Sequence, residues 1–130
     1  MNAPARTPAK PRRSDERDLH IAIVHYLRRV MPADITWWHC PSGEHRDIRT
    51  AQKLKAMGTI PGVADLNFVL PGGFAAFIEL KADKGRLSPA QQAFREAVEG
   101  LGARFAECRS LVDVEATLTA WGVQLKGRLS

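Results

Sequence analysis

Cysteine is scarce in this chain: Cys40 and Cys108 are the only two in 130 residues. They lie far apart and form no CxxC, which excludes a disulfide framework and a paired-thiol metal site and leaves two free thiols. Long apolar runs are missing as well. No stretch approaches the ~18–20 residues of a membrane span. The N-terminal MNAPARTPAKPRR is basic but has no apolar stretch, so it is not a secretory signal. Its Pro and Ala content points to a disordered basic arm over residues 1–13. There is no internal repeat.

Charge of one sign is also scarce outside that arm. The formal net charge is +5, and Arg6, Lys10, Arg12 and Arg13 supply four of those charges before any acid occurs. The rest of the chain carries a net +1. A basic arm suits a nucleic-acid contact or a solvated terminus equally well, and the nearly neutral remainder does not by itself mark a DNA-binding domain.

What the chain does have is enough length and 45% apolar residues for one domain with a core. Ser14 or Asp15 can cap a first helix, whose stripe runs through Leu19, Ala22, Ile23, Tyr26, Leu27 and Val30 until Pro32 stops it. Ile35 to Cys40 is β-branched and aromatic and reads as a strand. A short helix is expected over 48–57, ended by Gly58. Ser88-Pro89-Ala90-Gln91 is a helix start with Ser as N-cap, Pro in the first helical position and Gln three residues after the cap. That helix continues its stripe through Phe94, Ala97, Val98 and Leu101. Ala103 to Cys108 suits a further strand. Ser110 opens a last helix with Val114, Leu118 and Trp121 on its stripe. The domain is expected over 14–122, with 123–130 as a loose C-terminal tail. The order α, β, short α, hairpin, α, β, α describes an α/β domain with one mixed sheet, a central hairpin and flanking helices.

The hairpin holds the chemistry. Asp65 to Leu70 and Phe74 to Lys81 are short apolar runs joined by Pro71-Gly72-Gly73, a three-residue connection of hairpin type. With Leu70 facing Phe74, Asp65 faces Glu79, and alternation puts Lys81 on the same face. Like charges facing each other are destabilising. The two carboxylates therefore need a cation, either Lys81 or a divalent metal. A diagonal Lys81–Asp65 pair contributes about 0.2–1 kcal/mol, which accounts for one acid and poorly for two.

Gly62-Val63-Ala64-Asp65, Ile78-Glu79-Leu80-Lys81 and Ser88-Pro89-Ala90-Gln91 together resemble the VRR-NUC family of the PD-(D/E)XK nuclease superfamily. The resemblance runs from about Ser14 to Trp121 and is densest from Gly58 to Gly102. Ala64 stands where the superfamily has Pro before the Asp. The resemblance implies a restriction-endonuclease-like core and a phosphodiester hydrolase that cuts DNA to a 5′-phosphate and a 3′-hydroxyl. It implies Mg²⁺ or Mn²⁺ held by Asp65, Glu79 and the backbone carbonyl of Leu80, with Lys81 orienting the attacking water. Gln91 matches the family's motif glutamine, although Ser88 and Gln91 also form a capping box unaided.

Glu16 extends the inward stripe of the first helix by one turn and is a further candidate ligand, or else an acid suited to a helix start. Arg46, Arg49, Lys53 and Lys55 before the hairpin, and Lys84 and Arg86 after it, are candidate phosphate contacts or a solvated face. His39, Cys40 and His45 match no familiar zinc spacing and lack a fourth ligand; a strand end followed by a polar loop accounts for them. His20 and His25 read as residues at the edge of helix packing.

The expectation is a metal-dependent DNA endonuclease of the kind found alone in phages and prophages, acting in the cytoplasm of a bacterial or phage-infected cell. DNA is its partner and no organic cofactor is implied. A homodimer would present two sites to two strands, which suits branched or junction DNA. The alternative is a catalytically silent DNA-binding or assembly module that keeps the fold.

Overall fold

A computed structural model describes residues 13–41 and 47–129. Its elements are α1 (Arg13–Val30), β1 (Thr36–His39), α2 (Ile48–Ala56), β2 (Leu66–Leu70), β3 (Phe74–Leu80), α3 (Pro89–Gly100), β4 (Arg104–Cys108) and α4 (Leu111–Ala120). The expected order of elements is therefore present. The basic residues of the arm up to Arg12, and Arg46 and His45 of the loop before α2, lie outside the described residues. Among the described residues no helix is long and apolar enough to cross a membrane.

The four strands form one sheet in the order β1-β2-β3-β4. β1 and β3 run antiparallel to β2, while β4 runs parallel to β3 and is reached through α3. That β3–α3–β4 crossover is what a parallel neighbour requires. Leu70 pairs with Phe74 and Leu66 with Ile78, the register expected from the turn. The turn works because Gly73 N–H donates to Leu70 O at 3.0 Å. Pro71 presets the first corner, and Gly72 takes the positive φ of 89° that the next position demands.

Alternation along the strands sorts the two faces. Leu66, Phe68, Leu70, Ala76, Ile78, Leu80 and Cys108 point to one side and are buried. There they meet Ile23 and Leu27 of α1 and Val114 and Leu118 of α4. On the other side Phe77 and Phe105 pack against Phe94 of α3, with ring centroids 5.1 and 6.4 Å away. Asp65, Glu79 and Lys81 belong to this second side, beside α3.

Three expectations are corrected. α1 begins at Arg13, so Ser14 and Asp15 lie within it, not at its cap; Asp15 and Glu16 in the first turn still face the positive end of the helix dipole. The apolar stripe of α3 is shorter than its pattern, because Ala97 is exposed and Leu101 is 89% exposed. The helix ends at Gly100, and Leu101, as its C-cap, turns outward. Residues 123–129 are not loose: Val123 joins the core and Leu125 packs on it. Lys126 N–H also donates to Val30 O at 2.8 Å, tying the segment to the end of α1.

Candidate active site

The end of β1, the start of β2, the end of β3 and the first turns of α1 and α3 meet at one end of the sheet. Asp65 stands one residue before β2, in line with Glu79. Asp65 N–H donates to Glu79 Oε2 at 3.3 Å, and Leu80 N–H donates to Asp65 Oδ2 at 2.9 Å. The second oxygen of Glu79, Oε1, accepts from Gln91 Nε2 at 2.9 Å. The structure therefore brings Asp65, Glu79 and Gln91 into one hydrogen-bonded set, with the Leu80 peptide inside it.

Gln91 serves two roles at once. Its Oε1 accepts from Ser88 N–H at 2.8 Å while Ser88 Oγ accepts from Gln91 N–H at 3.1 Å, a complete capping box. The cap fixes the side chain, and its amide nitrogen is then aimed at Glu79. Gly62 brings this helix start close. A Cβ on Gly62 would stand 2.3 Å from Ala90 O and 2.7 Å from Gln91 N, and its φ is +80°. Only glycine tolerates both that conformation and that approach.

Glu79 is 3% exposed. Its carboxyl is pushed up to about 9, first by burial and then by the neighbouring Asp65; Lys81 offsets part of this. Lys81 does not neutralise the acids by contact, since the described ion pairs are Arg95–Glu99 and Arg109–Glu107. The salt-bridge explanation of the hairpin is thus not realised. Two carboxyl groups, one of them buried, are left to share a proton or to hold a cation. A hard oxygen donor set of this kind fits Mg²⁺ or Mn²⁺.

Glu16 reaches the same end of the sheet from α1. Its Oε1 accepts from Ala82 N–H at 3.5 Å. A Cβ on Gly85 would lie 3.0 Å from Glu16 Oε1 and 3.3 Å from Lys81 Cδ, so both side chains line the loop after β3. Arg49, Lys53 and Lys55 are exposed on α2, a helix with no buried residue, and Lys84 and Arg86 are exposed on the β3–α3 loop.

Two features escaped sequence reasoning. The first is Glu107 with Arg109. Glu107 pairs with Glu79 across the parallel ladder, so Asp65, Glu79 and Glu107 form a row of acids over three strands. Arg109 neutralises Glu107 and donates from Nη1 to Ala82 O at 2.8 Å and to Asp83 O at 3.2 Å. It thereby pins the loop that carries Lys84 and Arg86. The acid near the end of β4 and the base two residues on, just past the strand, were the available signal. The second is a pair of histidines. His20 and His39 meet edge to face with centroids 4.3 Å apart, and His39 Nδ1 lies 2.7 Å from Asp65 O. Burial, then the nearby His39, lowers the His20 pKa, although Asp65 pulls it the other way.

A four-stranded mixed sheet of this topology, with an acid pair at the open end of its central hairpin, defines a nuclease-like α/β domain. The family model for the VRR-NUC domain matches residues 17–111, and the chain belongs to that nuclease family. Two solved structures share the fold. A VRR-NUC domain protein superposes with a TM-score of 0.65 at 20% identity, over 80% of this chain and 84% of that one. A VRR-NUC domain superposes with a TM-score of 0.56 at 18% identity, over 82% of this chain and 97% of that one. No curated protein matches the sequence.

Proposed function

We propose that this protein is a Mg²⁺- or Mn²⁺-dependent endonuclease that hydrolyses DNA phosphodiester bonds. One observation carries the reading: Glu79 is buried against Asp65, its carboxyl is pushed up to about 9, and among the described residues it is in no ion pair. Such a pair wants a cation, and the family places one in a nuclease centre. Asp65, Glu79 and the Leu80 carbonyl would hold the ion, with Glu16 as a further acid. A bound divalent ion lowers the pKa of a coordinated water and neutralises charge growing on the phosphoryl oxygens.

The chain's own residues do the rest. Gln91 holds Glu79 Oε1 and so fixes the plane of that carboxylate. Lys81, on the same face and in no ion pair with a described residue, orients the attacking water and stabilises negative charge on the phosphate. Arg49, Lys53, Lys55, Lys84 and Arg86 bind the DNA backbone, which gives affinity without sequence preference. A twofold dimer acting on branched DNA belongs to the same proposal.

The test is incubation with linear, nicked, flap and four-way-junction DNA in Mg²⁺ and in Mn²⁺, with Asp65→Ala and Lys81→Ala proteins alongside and the oligomeric state read by sedimentation. Metal-dependent cleavage by the parent alone is expected. Cleavage of no DNA form by the parent would favour a silent DNA-binding module. Equal cleavage by the variants would remove these residues from the site, and a monomer cutting all forms alike would remove the dimer and the junction preference.

A further inference from the structure

One oxygen or nitrogen from each of His20, His39 and Asp65 lies within 4.8 Å of the others, the one such trio of potential ligands among the described residues. Ligand atoms bonded at about 2.0–2.2 Å to a single ion sit roughly 3–4 Å apart. The trio is therefore within about 1 Å of a closed site, a change that side-chain rotation supplies.

The hydrogen bond at His39 decides its tautomer. Asp65 O can only accept, so His39 Nδ1 must carry the proton that spans the 2.7 Å. The lone pair is then on Nε2. An imidazole that donates through one nitrogen to a backbone carbonyl, and is oriented by it, has the arrangement usual for a metal-binding histidine. His20 has no hydrogen-bond partner among the described residues, and its recorded ring contact is with His39. Half-buried on α1, it lies one turn after Glu16, so the same helix face supplies both side chains. Asp65 uses Oδ2 for the Leu80 N–H, and its carboxylate retains acceptor capacity for two neighbours.

We propose that His20, His39 and Asp65 form a second metal subsite, which takes a borderline transition ion such as Mn²⁺, Co²⁺ or Zn²⁺ and shares Asp65 with the Glu79 centre. Two imidazole nitrogens and one carboxylate favour these ions over Mg²⁺, whose preferred ligands are oxygens. Three protein ligands leave positions for water or a phosphate oxygen. The subsite adjoins the proposed nuclease centre but does not depend on that centre's activity.

The full-length chain, without DNA, is titrated with ZnCl₂ and separately with MgCl₂ while the histidine ring ¹⁵N resonances are followed. One equivalent of Zn²⁺ should move the ring signals of His20 and His39 and leave His25 in place; millimolar Mg²⁺ should move none of them. Loss of an outer-shell partner typically weakens metal binding about 10–100-fold, so His39→Ala or His20→Ala should weaken the Zn²⁺ affinity by at least about tenfold. His25→Ala, on an exposed residue outside both sites, should keep the shifts of His20 and His39. Ring signals of His20 and His39 that stay put at saturating Zn²⁺ would overturn the subsite, as would a His39→Ala protein with parental affinity. The two readings separate cleanly. Histidine shifts without any DNA cleavage keep the subsite and sink the nuclease; Mg²⁺-dependent cleavage with silent histidines does the reverse.

Discussion

Two acids stand side by side on the same sheet face, and their surroundings differ completely. Glu107 on β4 is met by Arg109, which also donates to Ala82 O and Asp83 O. Glu79 on β3, its ladder neighbour, receives an amide from Gln91 and a backbone N–H from Asp65, and among the described residues it has no ion pair. The Glu107 corner is complete as it stands and holds a loop. The Glu79 corner is satisfied in hydrogen bonds but has no ion-pair partner among the described residues. A fold that ion-pairs one acid and leaves its neighbour raised to about 9 keeps, at one place, a carboxyl that holds its proton through neutral pH until a cation displaces it. That contrast marks the candidate site more sharply than net charge does.

Glu79→Gln should break the contrast most severely. It removes a proposed metal ligand, and since a metal supplies several kcal/mol of transition-state stabilisation, cleavage should fall by about 10²–10⁴-fold. Stability should move the other way. Glu79 rises from 4.5 when unfolded to about 9 when folded, so the native state holds its proton longer. The stabilising contribution is full below pH 4.5 and is lost as pH rises toward 9, by on the order of a few kcal/mol. Metal-free parent protein should therefore melt lower at pH 8 than at pH 6. Glu79→Gln should flatten that slope, and saturating Mn²⁺ should offset it in the parent by mass action. Melting curves at both pH values, with chelator and with Mn²⁺, check each step; a parent whose melting temperature ignores pH would count against the buried acid pair.

Gly62→Ala should come next. The new Cβ would meet Ala90 O at 2.3 Å and Ala90 C at 2.4 Å, with the backbone held at φ +80°. Strain and overpacking together should cost about 2–4 kcal/mol. Because the displaced turn carries Gln91, cleavage should drop even at temperatures where the variant stays folded. A stable variant with parental activity would show that the α3 start can retreat without moving Glu79.

How much of this was readable in advance follows from the range of each interaction. The hairpin register came from a three-residue turn and period-2 alternation, and the α3 cap from four adjacent residues. Both are local, so spacing encodes them. The row of acids from Asp65 to Glu107 depends on which strand pairs beside β3, a nonlocal fact reached through the α3 crossover. The meeting of His20 with His39 depends on how α1 crosses the end of β1, and no periodicity in either segment specifies it. Leu101 misled because helical spacing cannot say where a helix leaves its sheet. Val123 and Leu125 misled because a short apolar segment after the last helix has no pattern of its own. The VRR-NUC resemblance supplied what spacing could not: the reason to propose a metal, in preference to a lysine, between Asp65 and Glu79.

Arg109→Ala tests the balanced corner. It removes the partner of Glu107 and both loop contacts. Hydrogen bonds to charged groups contribute roughly 1.5–3 kcal/mol, but this side chain is partly solvated, so a loss of about 1–2 kcal/mol is expected. DNA affinity should weaken with it, because the loop bearing Lys84 and Arg86 loses its anchor. Unchanged affinity in a destabilised variant would confine Arg109 to a structural role.

The smallest effect should come from α2, the region least tied to the core. Arg49 and Lys53 are one helical turn apart and exposed, on a helix with no buried residue. Replacing either with Ala should leave stability within about 0.5 kcal/mol. If both grip phosphates, each replacement should reduce the slope of log affinity against log salt by about 1, equally for every DNA sequence. A slope that does not move assigns these charges to solvent. The contact with DNA would then fall to the loop that Arg109 holds, on the same side as Glu79.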